Sequence, residues 1–363
     1  MVNYKKRWNR VKKHLADEKY DAFVVKQEGN LKYLSYTHLS PASPPSPILS
    51  YIVIPKKGDL VGITPSLEYF RCKVDCAIDD IRLFTPYPGI KADAKDGGKL
   101  LRDVLASFKC KKVLFDSKEN VKGMKTKSDP FINTMREVKE DEEIRNIKKA
   151  CKITDKGAKV LQNEILEVGK TERKVGRELE FFMLENGAHT ISFSTIIASG
   201  KHSSFSHHDN TNRKLKDGDI VICDFGVYYN GYCSDLTRTY GIGNVKEKFI
   251  DIYNIVLEAQ VKAIKMVKSR VEYKSVDVMI RDLFKEYGYQ PNFVHGTGHG
   301  IGLEVHEGPR VACVAKGRFV KGNVVTIEPG IYIPNQGGVR IEDDILVTAK
   351  GCEVLTKAYK KSL

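Results

Sequence analysis

The spacing of apolar residues along the chain predicts a regular succession of helices and strands. Trp8, Val11 and Leu15 recur at helical spacing among lysines and arginines within residues 3–19, which predicts an amphipathic surface helix. The apolar run at 21–25 predicts a short buried strand. The same criteria predict the other elements of the first third of the chain, namely strands at 48–54, 60–64 and 112–115, a helix at 100–108 and a proline-rich loop at 41–47.

A change of pattern near residues 121–129 marks a boundary between two predicted domains, 1–128 and 129–363. This segment is polar, rich in lysine and contains a glycine. We expect the first domain to be a compact α/β unit. Beyond the boundary, two helices followed by paired strands occur twice, which predicts a duplicated α/β (α+β) unit that encloses a site between its halves. Its predicted elements are helices at 137–165, 171–186, 247–268 and 274–287 and strands at 192–198, 323–333 and 338–347.

A β-hairpin is predicted at 219–241, where apolar and aromatic residues lie on both sides of Asn230-Gly231. Asn-Gly is the strongest short hairpin signal because both residues tolerate a positive φ. With these two residues as the turn, Asp224 faces Thr237, and Asp235 lies diagonally from Asp224 on the same face, at about 7 Å. A metal ion between the two carboxylates would remove their repulsion. Two surface aspartates are the alternative that this stretch alone leaves open.

Further polar residues with candidate chemistry lie elsewhere in the second domain. Glu328 lies among apolar residues, where an unpaired charge costs several kcal/mol, and the turn that follows would let Glu342 face the same side. Four glycines between 296 and 302 exclude a helical zinc motif, and their spacing excludes a phosphate-binding loop. The other candidates are Arg340 and two groups of histidines, His202, His207 and His208 in one polar loop and His295, His299 and His306 in the glycine-rich segment.

Composition and charge exclude several other classes of protein. Hydrophobic residues make up 41% of the chain and charged residues 29%, which is ordinary for a globular protein. The formal net charge of +14 comes from basic residues spread along the whole chain, so we predict no nucleic acid as a partner. The eight cysteines contain no CxxC pair, which favours reduced thiols and a cytoplasmic location. We expect no secretory signal and, since no apolar run has membrane-spanning length, no membrane partner.

The order of these motifs resembles metallopeptidase family M24, which includes proline dipeptidase, aminopeptidase P and methionine aminopeptidase. Within about 137–355 the chain contains, in order, D-F-G, S-D-x-T-R-T, G-H-G-I-G-L-x-x-H-E, E-P-G-I-Y and G-V-R-I-E-D-D. The resemblance implies a creatinase-like N-terminal α/β domain, a C-terminal pita-bread catalytic domain and a homodimer. It also implies two divalent metal ions per subunit (manganese, cobalt or zinc), with the ligands Asp224, Asp235, His299, Glu328 and Glu342. An oxygen-rich set with one nitrogen is expected for a dinuclear site.

The same resemblance implies a proline-specific peptidase. Methionine aminopeptidases usually lack an N-terminal domain, whereas the enzymes that cleave Xaa-Pro bonds carry one. His295 resembles the histidine that these enzymes place near the substrate carbonyl. The implied substrate is a proline-containing dipeptide or oligopeptide. One departure is that Ser206-His207-His208 stands where many relatives have Pro-His-Gly, which changes the expected shape of the substrate mouth.

In the expected reaction, Glu328 accepts a proton from the attacking water and passes it to the leaving proline nitrogen. His207 and His306 donate hydrogen bonds to the developing oxyanion or orient the substrate. Arg340 either orients the neighbouring ligand Glu342 or binds the substrate carboxylate. The sequence leaves two other functions open. One is a pita-bread metallohydrolase that acts on another amide or C–N bond, and the other is a catalytically silent module that binds peptide or nucleic acid.

Overall fold

The computed structural model of the chain describes residues 3–35 and 48–360. Its Cα positions divide the chain into two compact units, Met1–Arg136 and Glu137–Leu363. Within the described ranges, no helix combines the length and the apolar composition that crossing a membrane requires. The proline-rich loop predicted at 41–47 lies outside the described residues.

The first unit is an α/β fold built on one six-stranded sheet. Its elements are α1 (Tyr4–Glu18), β1 (Ala22–Val25), α2 (Glu28–Ser35), β2 (Tyr51–Pro55), β3 (Val61–Pro65), α3 (Tyr69–Asp75), β4 (Asp80–Phe84), α4 (Gly97–Ser107), β5 (Lys112–Phe115), β6 (Lys125–Ser128) and α5 (Phe131–Glu137). The strand order is β4-β3-β2-β1-β5-β6, in which β1 runs antiparallel to β2 and parallel to β5. The two helices and four strands predicted within the described part of this unit are present, with ends shifted by a few residues.

The apolar pattern misses five elements of this unit, α2, α3, β4, β6 and α5, and three of these show the physical reason. Helix α3 has only one buried residue, Cys72, so it shows no apolar stripe. In strand β4 the buried residues Ile81 and Leu83 alternate with the charged Asp80 and Arg82, so it has no continuous apolar run. Strand β6 consists of Lys125, Thr126, Lys127 and Ser128 and lies at the edge of the sheet, where polar side chains face water. A polar edge strand therefore has the composition of a linker.

The second unit repeats a pair of helices followed by strands, as the sequence predicts. Helices α6 and α7 share one apolar core with β9 and β12, and α8 and α9 share another with β15 and β18. The elements are α6 (Asp141–Val160), α7 (Glu172–Glu185), β7 (Thr190–Ile191), β8 (Ile196–Ser199), β9 (Ile220–Phe225), β10 (Val227–Tyr229), β11 (Tyr232–Cys233), β12 (Leu236–Gly241), α8 (Glu247–Met266), α9 (Tyr273–Glu286), β13 (Gly298–Gly300), β14 (Glu307–Val311), β15 (Val324–Ile327), β16 (Gly330–Ile333), β17 (Gly337–Arg340), β18 (Asp343–Val347) and β19 (Cys352–Val354).

Local hydrogen bonds fix where the first two of these helices begin. Glu140 and Glu143 form a capping box in front of α6, in which each side chain accepts a hydrogen bond from the backbone N–H of the other residue. The Thr171 hydroxyl accepts a hydrogen bond from the backbone N–H of Lys174 at the start of α7. The first residue of α7 is Glu172, so this cap sets the position of a buried carboxylate beside the strands.

Candidate metal centre

One cavity in the second unit, of about 700 Å³, is lined by all nine side chains that the sequence singles out for catalysis, substrate binding or metal binding. This volume is typical of small-molecule sites. His208 also lines the cavity, whereas His202 is not among the lining residues. The nine side chains are those of His207, Asp224, Asp235, His295, His299, His306, Glu328, Arg340 and Glu342.

The predicted hairpin supplies the two aspartates, and its register is the predicted one. Asp224 pairs with Thr237 in the ladder between β9 and β12. Asn230 and Gly231 form the turn with φ angles of 47° and 79°. Between β9 and β10 the ladder breaks at Gly226, where a Cβ atom would lie 1.9 Å from a carbonyl oxygen of the opposite strand. Only glycine permits this close approach.

The two glutamates lie where the second ribbon bends. β15 pairs with β18 and β16 pairs with β17 in one continuous register, which places Glu328 opposite Glu342. Neither glutamate donates its backbone N–H to the opposite strand of the ribbon. The N–H of Glu328 donates to the carbonyl of Thr297 at 2.8 Å, and the N–H of Glu342 donates to that of Thr237 at 3.1 Å. A backbone hydrogen bond thus connects each glutamate to a segment that carries other cavity residues.

Helix α9 holds the glycine-rich segment that carries His295 and His299. Asp277, fully buried on α9, accepts hydrogen bonds from the backbone N–H and the hydroxyl of Thr297 at 3.0 and 2.9 Å. Its other oxygen accepts one from Arg281 at 2.7 Å, and Arg281 also donates to the backbone carbonyl of His295 at 2.6 Å. An ion pair between a buried aspartate and a partly buried arginine on a regular helix therefore supports the segment that carries both histidines.

Three cavity carboxylates each keep one buried oxygen that has no hydrogen-bond partner among the described residues. These atoms are Oδ1 of Asp224, Oδ1 of Asp235 and Oε1 of Glu342. The other oxygen of Asp224 accepts a hydrogen bond from Arg340, and that of Glu342 accepts one from Thr237, both at 2.6 Å. A buried carboxylate oxygen without a partner is costly, and a cation removes that cost. The residues present therefore fit a group of divalent metal ions.

His299 adds an imidazole nitrogen to this set. Its Nδ1–H donates to a backbone carbonyl at 3.1 Å, so Nε2 carries the lone pair of the neutral ring. Nε2 lies 3.4 Å from Oε1 of Glu328 and 3.7 Å from Oδ2 of Asp235. The donor atoms of Asp235, His299 and Glu342 lie within 4.8 Å of one another. Burial is the main cause that lowers the pKa of His299 to about 4, and the neutral ring is the form that binds metal.

The cavity carboxyl groups raise one another's pKa values. Burial, followed by the charges of Glu342 and Asp224, raises the pKa of Asp235 well above its usual range. Burial raises the pKa of Glu328 to about 8 although Arg340 opposes the shift. Burial and the charge of Glu328 also raise the pKa of Glu342. The cluster therefore takes up either protons or metal cations at neutral pH, because both relieve the repulsion.

Arg340 is buried, and its guanidinium group is directed at protein groups around the cavity. Besides its bond to Asp224, it donates to the hydroxyl of Thr237 at 3.0 Å and to that of Tyr332 at 2.8 Å. The Tyr332 hydroxyl lies 2.9 Å from Nε2 of His295, to which it donates, since the Nδ1–H of His295 donates to a backbone carbonyl. Burial, then the charge of Arg340, lowers the pKa of His295 to about 4. These contacts favour orientation of a ligand over substrate binding as the role of Arg340.

The site contains residues that the sequence did not single out. Arg310, exposed on β14, lines the cavity, and no acidic side chain among the described residues pairs with it. Its one sequence signal is that it follows His306 by four residues. Thr237 and Tyr332 lie inside the S-D-x-T-R-T and E-P-G-I-Y motifs. Their position in these motifs is the sequence signal that could have identified them. His306 itself is exposed to solvent, but it is partly desolvated where it lines the cavity, and this desolvation, followed by the charge of His207, lowers its pKa.

The chain matches two known protein families over most of its length. It matches metallopeptidase family M24 over residues 145–349 and the creatinase/prolidase N-terminal domain over residues 7–138. It is 38% identical, over 359 residues that cover 99% of this chain and 100% of the relative, to an Xaa-Pro dipeptidase from Pyrococcus furiosus. The prolidase structure from Pyrococcus horikoshii aligns with a TM-score of 0.87 and 35% identity, covering 99% of this chain and 100% of that one. An X-Pro aminopeptidase structure from Thermotoga maritima aligns with a TM-score of 0.85 and 29% identity, covering 98% of each chain.

Proposed function

Because this chain belongs to metallopeptidase family M24, we propose that it hydrolyses the Xaa-Pro bond of dipeptides or at the N-terminus of short peptides. The predictions of a peptidase and of a pita-bread domain behind a creatinase-like N-terminal domain are confirmed by the family matches and by the prolidase structures. One observation supports the proposed chemistry above all others. The predicted side chains line a single cavity, in which three carboxylates each present a buried oxygen that has no hydrogen-bond partner among the described residues.

Members of this metallopeptidase family use divalent metal ions, and the side chains that line the cavity suit two such ions. Carboxylate oxygens with one imidazole accept manganese, cobalt or zinc, and we propose one of these as the physiological metal. When bound, two such ions would lower the pKa of a water molecule toward neutrality and polarise the scissile carbonyl. The proposed ligands are Asp224, Asp235, His299, Glu328 and Glu342.

Glu328 is the proposed general base. Its side chain is 17% exposed, and its two oxygens lie 3.4 Å from Nε2 of His299 and 4.0 Å from Nδ1 of His295. From this position Glu328 accepts the proton of the attacking water and passes it to the leaving proline nitrogen. That nitrogen carries no hydrogen in the substrate, so a general peptidase that recognises an amide N–H cannot use this bond.

Two exposed histidines complete the proposed reaction site. His207 and His306 donate hydrogen bonds to the tetrahedral oxygen, a stabilisation of about 2.7–4 kcal/mol per donor in comparable sites. His295, held neutral and oriented by Tyr332, contacts the substrate near the same carbonyl. Arg340 orients Asp224 directly and Glu342 through Thr237, which is the first of the two roles that the sequence left open.

Protein loaded with manganese or cobalt should hydrolyse Ala-Pro, Ala-Pro-Ala or both, because the bound ions would activate a water molecule for attack on the scissile carbonyl. Chromatography of the released alanine measures this. No hydrolysis of either peptide would contradict the proposal, and bound metal in such inactive protein would favour another amide or C–N bond. Cleavage of the dipeptide alone identifies a dipeptidase. A protein without bound metal that binds RNA or DNA in low salt would instead favour the catalytically silent module.

Arg310→Gln should raise the KM for Ala-Pro about 10- to 100-fold, since a hydrogen bond to a charged group contributes about 1.5–3 kcal/mol. We assign Arg310 to the substrate carboxylate because it lines the cavity and has no acidic partner among the described residues, whereas the guanidinium of Arg340 is already hydrogen-bonded to protein groups. The KM for Ala-Pro-amide, which lacks the carboxylate, should not change. Equal changes for both substrates would contradict the assignment. Arg318→Gln is the matched control, because Arg318 pairs with Glu272 and does not line the cavity.

Two properties of the whole protein stay predictions. The family resemblance implies a homodimer, which gel filtration with light scattering tests. A cytoplasmic location rests on the scattered cysteines, which form no disulfide within the part of the chain that the structure describes.

A further inference from the structure

A second group of metal-binding side chains lies at the edge of the cavity. Glu172, fully buried at the start of α7, faces two histidines of the loop after β8. The Nδ1 of His202 lies 2.9 Å from Oε1 of Glu172, and the Nε2 of His208 lies 3.0 Å from Oε2. The proposed peptidase reaction uses neither Glu172 nor His202.

Four donors other than the histidines hold this carboxylate in place. The backbone N–H and hydroxyl of Ser199 donate to Oε1 at 3.0 and 2.6 Å. The same two groups of Thr211 donate to Oε2 at 3.0 and 2.6 Å. Burial is the largest influence and raises the pKa of Glu172, but hydrogen bonds from Ser199, Thr211 and His208 outweigh it and lower the pKa to about 2. The carboxylate thus keeps its charge and orientation whether or not the histidines bind it.

The distances in this group suit a zinc ion. The donor atoms of Glu172, His202 and His208 lie within 4.8 Å of one another. Ligands of tetrahedral zinc, at about 2.0–2.1 Å from the metal, lie about 3.3 Å apart. Each nitrogen therefore has to move a few tenths of an ångström away from its own Glu172 oxygen, and the remaining separations, none above 4.8 Å, have to close by at most about 1.5 Å. We propose that Glu172, His202 and His208 form a third metal site, which binds zinc when each neutral imidazole carries its proton on the ring nitrogen that does not face Glu172.

Charge and access also permit a cation at this position. Arg213 donates to the Ser199 hydroxyl at 2.6 Å, but its guanidinium also makes two bonds to Asp219, at 2.6 and 2.8 Å, which offset its charge. Two neutral imidazoles and one carboxylate carry a net charge of −1. A bound divalent ion would change the net charge of the site to +1. The side chains of His202 and His208 are 18% and 8% exposed, so water can reach the ion as a fourth ligand.

Zinc at this site should affect the peptidase because His208 also lines the catalytic cavity, next to His207. A zinc ion would fix the His208 ring and add positive charge at the wall of the cavity, which would repel the substrate's ammonium group. We therefore expect excess zinc to inhibit the enzyme. This consequence rests on the proposed peptidase function, whereas the zinc site itself does not.

The site is tested by metal content after equilibrium dialysis against micromolar zinc. Wild-type protein should hold one more zinc ion per chain than the H202Q/H208Q double variant, three against two when the catalytic centre is full. Glutamine still donates an N–H to Glu172 but is a poor zinc ligand, so the fold is preserved. H14Q is the matched control and should bind as much zinc as wild type, since His14 forms a single histidine–carboxylate pair, with Asp129 at 3.1 Å.

Equal zinc content in the double variant and the wild type would overturn the site. The difference of one ion stays diagnostic even if the catalytic centre binds fewer than two ions, because both proteins then lose the same number. With manganese-loaded enzyme and Ala-Pro, the double variant should need at least about 10-fold more zinc for half inhibition. Equal sensitivity would overturn the inhibitory role. If the double variant is unfolded at the assay temperature in the absence of zinc, H202Q alone supplies the same test. His202 does not line the cavity, so this single substitution leaves the cavity wall unchanged.

Discussion

Replacing Glu328 with glutamine should lower kcat/KM for Ala-Pro by about 10²–10⁴-fold, the usual contribution of a positioned general base. Glutamine has nearly the same shape as glutamate, but it cannot accept a proton from water at neutral pH. Glu328 is suited to this role because it is the more accessible carboxylate, 17% exposed against 7% for Asp235, and it lies opposite the buried Glu342. Steady-state kinetics on metal-loaded protein measure the effect.

The metal content of the same samples separates loss of the base from loss of the ions. A variant that holds both ions and has lost its activity supports Glu328 as the base. More than one tenth of the wild-type rate at full metal content would contradict that role. Glu353→Gln is a matched control, because Glu353 lies on β19, is 45% exposed and pairs with Lys148 on the surface. Its activity should equal that of the wild type.

The register of the hairpin could be predicted from the sequence because one local signal determines it. Asn230-Gly231 permits only a two-residue turn of positive φ, and every pair down to Asp224 and Thr237 follows from it. The glutamate ribbon has no such signal. Its PNQGG segment has the composition of a loop, but Gly337 and Gly338 are the first residues of β17.

Glycine is required at these two positions because a segment distant in sequence packs closely against their backbone. A Cβ atom on Gly338 would lie 2.4 Å from the carbonyl oxygen of Ser203, and the N–H of Gly338 donates to the Ser203 hydroxyl at 2.9 Å. The close approach places the polar loop with His207 and His208 beside the ribbon that carries Glu342. Such a contact across more than a hundred residues leaves no mark in local composition, so the sequence predicts the members of the site but not how they are held.

Arg340 shows the same limit for a single side chain. The sequence left two roles open for it, because an arginine near a ligand either binds substrate or orients the ligand. The choice depends on burial and on the hydroxyls of Thr237 and Tyr332, which lie in other motifs. The sequence shows that residue 340 carries a positive charge. Only the fold shows that its guanidinium is already hydrogen-bonded to three protein side chains.

Removing the metal ions should lower the melting temperature of the protein, and the loss should be larger at pH 8 than at pH 6.5. Each site filled at 100 times its Kd contributes about 2.7 kcal/mol of stability. At roughly 2–4 °C per kcal/mol for a unit of this size, two sites correspond to a shift on the order of 10 °C. Without metal, the four cavity carboxylates repel one another, and protons are the only other cations that relieve the repulsion.

The direction of the pH effect follows from the pKa values in the folded and unfolded chain. Glu328 has an ordinary pKa of 4.5 and a folded value of about 8, so below pH 8 the folded protein binds more protons than the unfolded chain. The metal-free protein therefore becomes more stable as the pH falls from 8. His295 and His299 act in the opposite direction, because their pKa falls from 6.5 to about 4 on folding and the unfolded chain binds their protons first. Between pH 8 and 6.5 the carboxyl groups dominate.

Melting curves with a chelator or with manganese, at pH 8 and pH 6.5, measure this effect. The metal-free protein should melt higher at pH 6.5, whereas the loaded protein should change little because its carboxylates are already neutralised. Asp235→Asn removes one buried charge and one ligand, so its metal-free form should melt above the metal-free wild type at pH 8 and gain little from manganese. A variant less stable than wild type under those conditions, or a wild type whose metal-free form melts lower at pH 6.5, would show that the carboxylates are not held in mutual repulsion. The shared cavity would then lack the electrostatic strain from which its affinity for metal is derived.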